Sequence, residues 1–211
     1  MNSAFRTWLI VLAACAAAAL FSIACVDRPV ADYVHLNLLQ SQMIEGLASA
    51  INPLVIFVAL AFAVLFGAGC CVLAGRKLSA PFETPLLCAW SVVWAMAATE
   101  ALKLAFGRSE PVMWTGSVAG SIERGTYRFL FLHGVPLYES FPSGTTALAA
   151  AILSVLWIRV PRLRVAWALV LAYVGLALIV TNGHFVSDVI AGGFLGVSTG
   201  WMTLQMWRRN S

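Results

Sequence analysis

Three stations along this chain carry atoms suited to holding and attacking a phosphate. His184 and Asp188 stand four residues apart. On one helix face that spacing sets the carboxylate a turn from the ring. There it can hold one imidazole nitrogen and leave the other free as a nucleophile, the orienting logic of a catalytic triad applied to a phosphoryl acceptor. Pro142-Ser143-Gly144-Thr145 opens an apolar run. A helix starting there aims unpaired N–H groups and a positive dipole end at an anion. Gly144 admits close approach, and the Ser143 hydroxyl adds a donor. Lys103 closes an earlier apolar run, three residues after Glu100. An ionisable side chain at such a place is a functional candidate by default. Singly, each has a plain alternative: an interfacial His beside a helix-start acid, an ordinary turn and cap, a lysine that snorkels or pairs with Glu100. It is their order on one chain that gives them weight together.

The elements that must position these residues are membrane helices. The chain is 61% hydrophobic and 10% charged, with mean hydropathy +0.89, which marks an integral membrane protein. Six apolar runs approach the roughly 20 residues a span needs: Trp8–Cys25, Pro53–Ala74, Pro85–Phe106, Ser143–Val160, Val165–Asn182 and Phe185–Trp207. Arg159 and Pro161 cut the fourth short. Hydrocarbon tolerates no bare backbone donors or acceptors, so the runs are predicted helices, and the lack of alternating polarity argues against a barrel. The expectation is one all-α domain over residues 1–211. Arg6 with the Ser22-Ile23-Ala24-Cys25 end of the first run also fits a signal peptide; the reading kept here is a first span.

Charge sets the expected orientation. With six spans, both termini share a side with the 75–84 and 159–164 connections. That side holds Arg6, Arg76, Lys77, Arg159, Arg162, Arg164, Arg208 and Arg209 of the 13 Lys and Arg, and only Glu83 of the 9 acids. The positive-inside rule places it in the cytoplasm and all three stations on the outer face of a bacterial-type inner membrane. The net charge of +4 is absorbed by this asymmetry, so no nucleic-acid partner is expected. The five cysteines lie in or at the edge of spans without metal-ligand spacing, and neither disulfide nor zinc is predicted. A transporter is excluded as a class: there is no repeat and no charge deep in the spans.

Two outer connections remain. Between Asp27 and Asn52, Leu36, Leu39, Met43, Leu47 and Ile51 recur at helical steps among polar residues, which predicts a helix lying in the interface. The connection Gly107–Phe141 is long and mixed. Its Tyr127-Arg-Phe-Leu-Phe-Leu-His133 stretch is too apolar for a free linker and is expected to fold back on the bundle.

Lys103 with Glu110-Pro111, then Pro142-Ser143-Gly144-Thr145, then Ala177-Leu178 ahead of His184 and Asp188, resemble the type 2 phosphatidic acid phosphatase (PAP2) superfamily. Its pattern is Lys-x6-Arg-Pro, Pro-Ser-Gly-His and Ser-Arg-x5-His-x3-Asp. The chain departs from it at three places: Glu110 for the first Arg, Thr145 for the second-station His, and Ala177-Leu178 for Ser-Arg. The resemblance implies a six-span PAP2 fold with an interfacial helix after the first span. It implies a lipid phosphatase or phosphotransferase acting on a lipid phosphate or diphosphate, with His184 as nucleophile and Asp188 orienting it. Lys103, Ser143 and Gly144 would hold phosphate, with Arg108 and Thr145 beside them. No metal or cofactor is implied; the partners are the phosphorylated lipid substrate and membrane lipid, and no oligomeric state follows. The missing residues would clamp phosphate and protonate the leaving oxygen. Arg124 and Arg128 are candidate replacements for the clamp and His133 for the acid. Without an acid at Thr145, a diphosphate, whose leaving group needs little protonation, is a better substrate than a monophosphate. The alternative from a different class is a catalytically silent protein that binds phosphorylated lipid or a membrane partner.

Overall fold

The computed structural model describes residues 3–38, 46, 56–73, 80–112, 120–132 and 138–210. Seven helices carry the architecture: α1 Ser3–Cys25, α2 Asp27–Asn37, α3 Ile56–Leu73, α4 Glu83–Phe106, α5 Gly144–Arg159, α6 Arg164–Val180 and α7 Val186–Asn210. All six apolar runs are helical where they are described, and no strand forms among the described residues. Among the described residues, three helical stretches are long and apolar enough to cross a membrane: Ser3–Cys25, Glu83–Phe106 and Pro161–Val180. Ile56–Ala68 and Gly144–Arg159 are shorter apolar helices, so the span count of six stays an expectation.

The centre of the bundle is the α5–α7 pair, and small residues explain it. Gly192, Gly196 and Gly200 recur every fourth residue on α7, one above the other on a single face. A Cβ at those positions would overlap the Ser143 carbonyl, the Ala147 carbonyl and the Ser154 hydroxyl of the α5 strip. Small-x3-small faces let helix backbones approach in a membrane, where apolar side chains gain nothing by avoiding lipid. The consequence is local to the site: Ser143, the cap of α5, is pressed against the first turns of α7. Its backbone N–H donates to the Asp188 carbonyl at 3.0 Å.

The remaining helices fasten this pair. α4 buries Leu87, Val92 and Ala95, and Ser91 Oγ bonds the Ala151 carbonyl across the interface at 3.2 Å. α1 lies on α7, where Trp8 Nε1 donates to Ser198 Oγ at 3.0 Å. α6 is peripheral, with only Val174, Gly175, Ala177 and Leu178 buried.

The Gly107–Phe141 connection, where it is described, does fold back, as its aromatics require. Phe106, Phe129, Phe131 and Phe141 pack with ring centroids 5.1–6.1 Å apart. Arg108 bridges to Phe129 and to Glu139 through the backbone. Gly107 ends α4 at φ 50°, a left-handed turn that glycine makes without Cβ strain. The expected interfacial helix starts earlier than its stripe. α2 buries Asp27, Ala31 and Val34 and leaves Leu36 exposed, while Leu39, Met43, Leu47 and Ile51 lie outside the described residues.

Candidate active site

Asp188 is the hub. It sits in the first turn of α7 and is fully buried. Oδ2 accepts from the Phe185 N–H at 3.0 Å and from Ser140 Oγ at 2.6 Å. Oδ1 accepts from Arg108 Nη1 at 2.7 Å. His184 is not on α7 but two residues ahead of it, in the turn where the Leu178 carbonyl accepts from the N–H groups of Gly183 and His184. Its Nδ1 lies 3.7 Å from Asp188 Oδ2, beyond a direct hydrogen bond. Ser140 stands between them, 3.4 Å from Nδ1. Because the Ser140 proton goes to Asp188, its oxygen is left to accept from Nδ1–H. That relay keeps the proton on Nδ1 and leaves Nε2 with a bare lone pair.

Behind the pair lies a buried ionic cluster that links three distant parts of the chain. Arg108 is 1% exposed. Its Nη2 meets Asp27 Oδ2 at 2.8 Å, and its guanidinium lies 3.9 Å from the Phe185 ring centroid and 5.0 Å from that of Phe129. Asp27 also accepts from Ser22 Oγ at 2.7 Å, from the Ser187 N–H at 3.0 Å and from Ser187 Oγ at 2.5 Å. A charge removed from water survives only when paired and bonded in this manner. Arg108, expected beside phosphate, therefore has both terminal nitrogens committed to carboxylates. Its place is behind Asp188, and its part is to hold that carboxylate.

Lys103 and Gly144 do come together. A Cβ at Gly144 would lie 3.8 Å from Lys103 Nζ, so the ammonium hangs over the start of α5. Nζ pairs with Glu100 at 3.0 Å and lies 3.9 Å from Glu139. Ser143 is buried, and its Oγ caps the helix by accepting from the Thr146 N–H at 3.3 Å. Gly144 and Thr145 follow as the first helical residues, whose N–H groups have no carbonyl four residues back. Thr145 is half-buried there.

Glu110 is the least expected member. Burial raises its carboxyl pKa, and nearby His184 and Lys103 oppose that rise. Its carboxyl thus belongs to the same cluster as the nucleophile candidate and the lysine. The proposed replacements are elsewhere: Arg124 donates to the Tyr138 hydroxyl at 3.0 Å, Arg128 is exposed, and His133 lies outside the described residues. Ala177 and Leu178 pack into the apolar cluster with Ala149, Leu153 and Val174, with no cation in the place of the third-station arginine. No cluster of metal-ligating side chains occurs among the described residues.

The sequence pattern of the PAP2 superfamily matches residues 84–211, more than half the chain and all three stations. The chain belongs to the PAP2 superfamily. Two curated relatives are the lipid A 1-phosphatases of Rhizobium etli, 31% identical over 114 residues, and of Rhizobium johnstonii, 30% identical over 115. Each match covers 54% of this chain but only 45% and 43% of the relative. The chain thus spans under half the length of the curated relatives it matches. Among solved structures, the PAP2 type phosphatidylglycerolphosphate phosphatase of Bacillus subtilis superimposes with TM-score 0.55 at 18% identity, covering 98% of this chain and 95% of that one. At that identity the likeness shows the shared PAP2 fold.

Two members of the site escaped sequence reading, Ser140 and Asp27. Ser140 had a faint signal, lying two residues before the Pro-Ser-Gly station. Asp27 had one as well: an acid at the membrane edge of the first span calls for a cation, and Arg108 was available.

Proposed function

We propose that this PAP2 protein is a lipid phosphatase that works through a phosphohistidine. The observation that carries it is the bonded chain Arg108–Asp188–Ser140–His184, whose Asp188 carbonyl also holds the Ser143 N–H at the start of α5, overhung by Lys103. Nε2 attacks phosphorus, the bond from phosphorus to the lipid oxygen breaks, and the lipid leaves with a proton. Water then attacks the phosphohistidine, releasing inorganic phosphate and restoring the imidazole. Lys103 and the first N–H groups of α5 stabilise the charge on the transferring oxygens. The names of the curated relatives, lipid A 1-phosphatases, favour a phosphorylated lipid as substrate.

Glu110 supplies the proton that Thr145 cannot. A carboxyl whose pKa burial raises holds its proton to higher pH than an exposed one. Protonated, it donates to the leaving oxygen and does not repel the dianion, in the pattern of acids tuned by burial. The sign follows from the direction of the shift. The competent form is the protonated one, so monophosphate turnover falls as pH rises through the raised Glu110 pKa. Glu110→Gln is expected to lower kcat on a lipid monophosphate by about 10²-fold and flatten that limb of the pH profile. On a lipid diphosphate the loss is smaller, because its leaving group needs little protonation. If Glu110 merely repels substrate, the same variant is faster than the parent.

The asymmetry of basic residues supports an outer-facing site. In a background without the five native cysteines, Glu123→Cys on the outer loop is expected to react with an impermeant thiol reagent in intact cells. Arg162→Cys, between α5 and α6, is expected to react only after permeabilisation. The reverse pattern places the site in the cytoplasm.

A further inference from the structure

A groove of about 940 Å³ runs between α5, α6 and α7. It exists because α6 buries residues only along its second half, from Val174 to Leu178. A Cβ at Gly175 would lie 3.0 Å from Val189 Cγ1, but no residue of 164–173 is buried. The first half is tied to the end of α5, where Arg164 Nε and Trp167 Nε1 donate to the Trp157 and Val160 carbonyls at 3.2 and 3.3 Å, and the groove opens beside it. Gly193 on α7 and Ala150 on α5 contribute almost no side chain to the floor, which deepens the gap. One end is at the candidate active site. Thr146, on the lining, bonds the Ser143 hydroxyl at 2.9 Å, and Val186, also lining, is two residues past His184. The other end is walled by Trp157, Trp167 and Trp201, and from Val186 to Trp201 the helix covers about 22 Å. The two lining hydroxyls are already bonded, Thr146 to Ser143 and Ser154 to the Ala151 carbonyl at 3.0 Å, so they ask nothing of a ligand.

We propose that this groove seats one hydrocarbon chain of the lipid whose phosphate is processed at His184. The inference rests on the phosphatase reading and adds where the lipid body lies. Three features select a chain belonging to the substrate: continuity with the Ser143–His184 end, a lining of aliphatic and aromatic side chains whose two hydroxyls are already bonded, and a course along α7 away from the site. Sites for apolar ligands have this character and size.

The test uses His184→Ala protein in nanodiscs, which binds without turning over, and a phosphatidic acid with a diazirine near the end of one acyl chain. Photoadducts are expected on α6 and α7 around Leu171 and Val197, displaced by unlabelled phosphatidic acid and not by diacylglycerol. Adducts spread evenly over the bundle, or displaced equally by diacylglycerol, identify bulk bilayer lipid and overturn the proposal. A disulfide-linked dimer from Leu171→Cys in membranes gives the groove to a second copy and overturns it too. As a second readout, Ala172→Trp, which narrows the groove from the exposed side of α6, is expected to lower the ratio of kcat/KM for long-chain over short-chain lipid phosphate about tenfold. An unaltered ratio with active enzyme counts against the groove. Failure of the phosphatase reading shows itself differently, as no phosphate release from either chain length while the displaceable adducts persist.

Discussion

His184→Ala is expected to abolish phosphate release from lipid phosphates, a loss of roughly 10⁴-fold or more, because no other group can form the covalent intermediate. The variants behind it should grade. Asp188→Asn removes the acceptor that fixes the Ser140 proton, and a wrong imidazole tautomer in a triad costs about 10⁴-fold. Ser140→Ala leaves the 3.7 Å gap between Nδ1 and Asp188 unbridged, with an expected loss of about 10–100-fold, since a water can stand in for the hydroxyl. Phosphate release by purified protein over a panel of lipid mono- and diphosphates measures all three. If Ser140→Ala is as damaging as Asp188→Asn, the serine does more than relay.

Arg108→Met is expected to destabilise the fold by about 3–5 kcal/mol, because it strands Asp27 and Asp188 as unpaired buried carboxylates. Asp27→Asn should cost less, since an amide oxygen still accepts from the Ser187 N–H and from Ser22. Thermal unfolding in detergent separates the two, and the order Arg108→Met below Asp27→Asn is the result that matters. A fully stable Arg108→Met protein with impaired lipid binding would instead return Arg108 to the phosphate, where the sequence pattern first put it.

That reversal shows what was legible and what was not. Hydropathy located the six apolar helices closely, and Arg159 with Pro161 marked the early end of α5, because span length and backbone satisfaction in lipid are local demands. Lys103 over Gly144, and His184 with Asp188 at the head of α7, followed from stations whose order the fold preserves. Arg108 is different. Sequence places it beside the phosphate, yet its partner Asp27 is 81 residues away and arrives only because α1 packs along α7. Ser140 enters by the same route, through a loop whose course is set by the Phe106–Phe129–Phe141 packing. The half-buried setting of Glu110, which raises its pKa, is likewise a product of packing that no spacing reveals.

The central claim is that His184 takes the phosphoryl group. A lipid phosphate carrying ³²P in its phosphate is mixed with purified protein and quenched within milliseconds. The label on the denatured chain is then tested for acid lability and mapped by digestion. The account expects acid-labile, alkali-stable label on the peptide bearing His184, and none in His184→Ala. Rapid phosphate release by a His184→Ala preparation, or label on another residue, contradicts it.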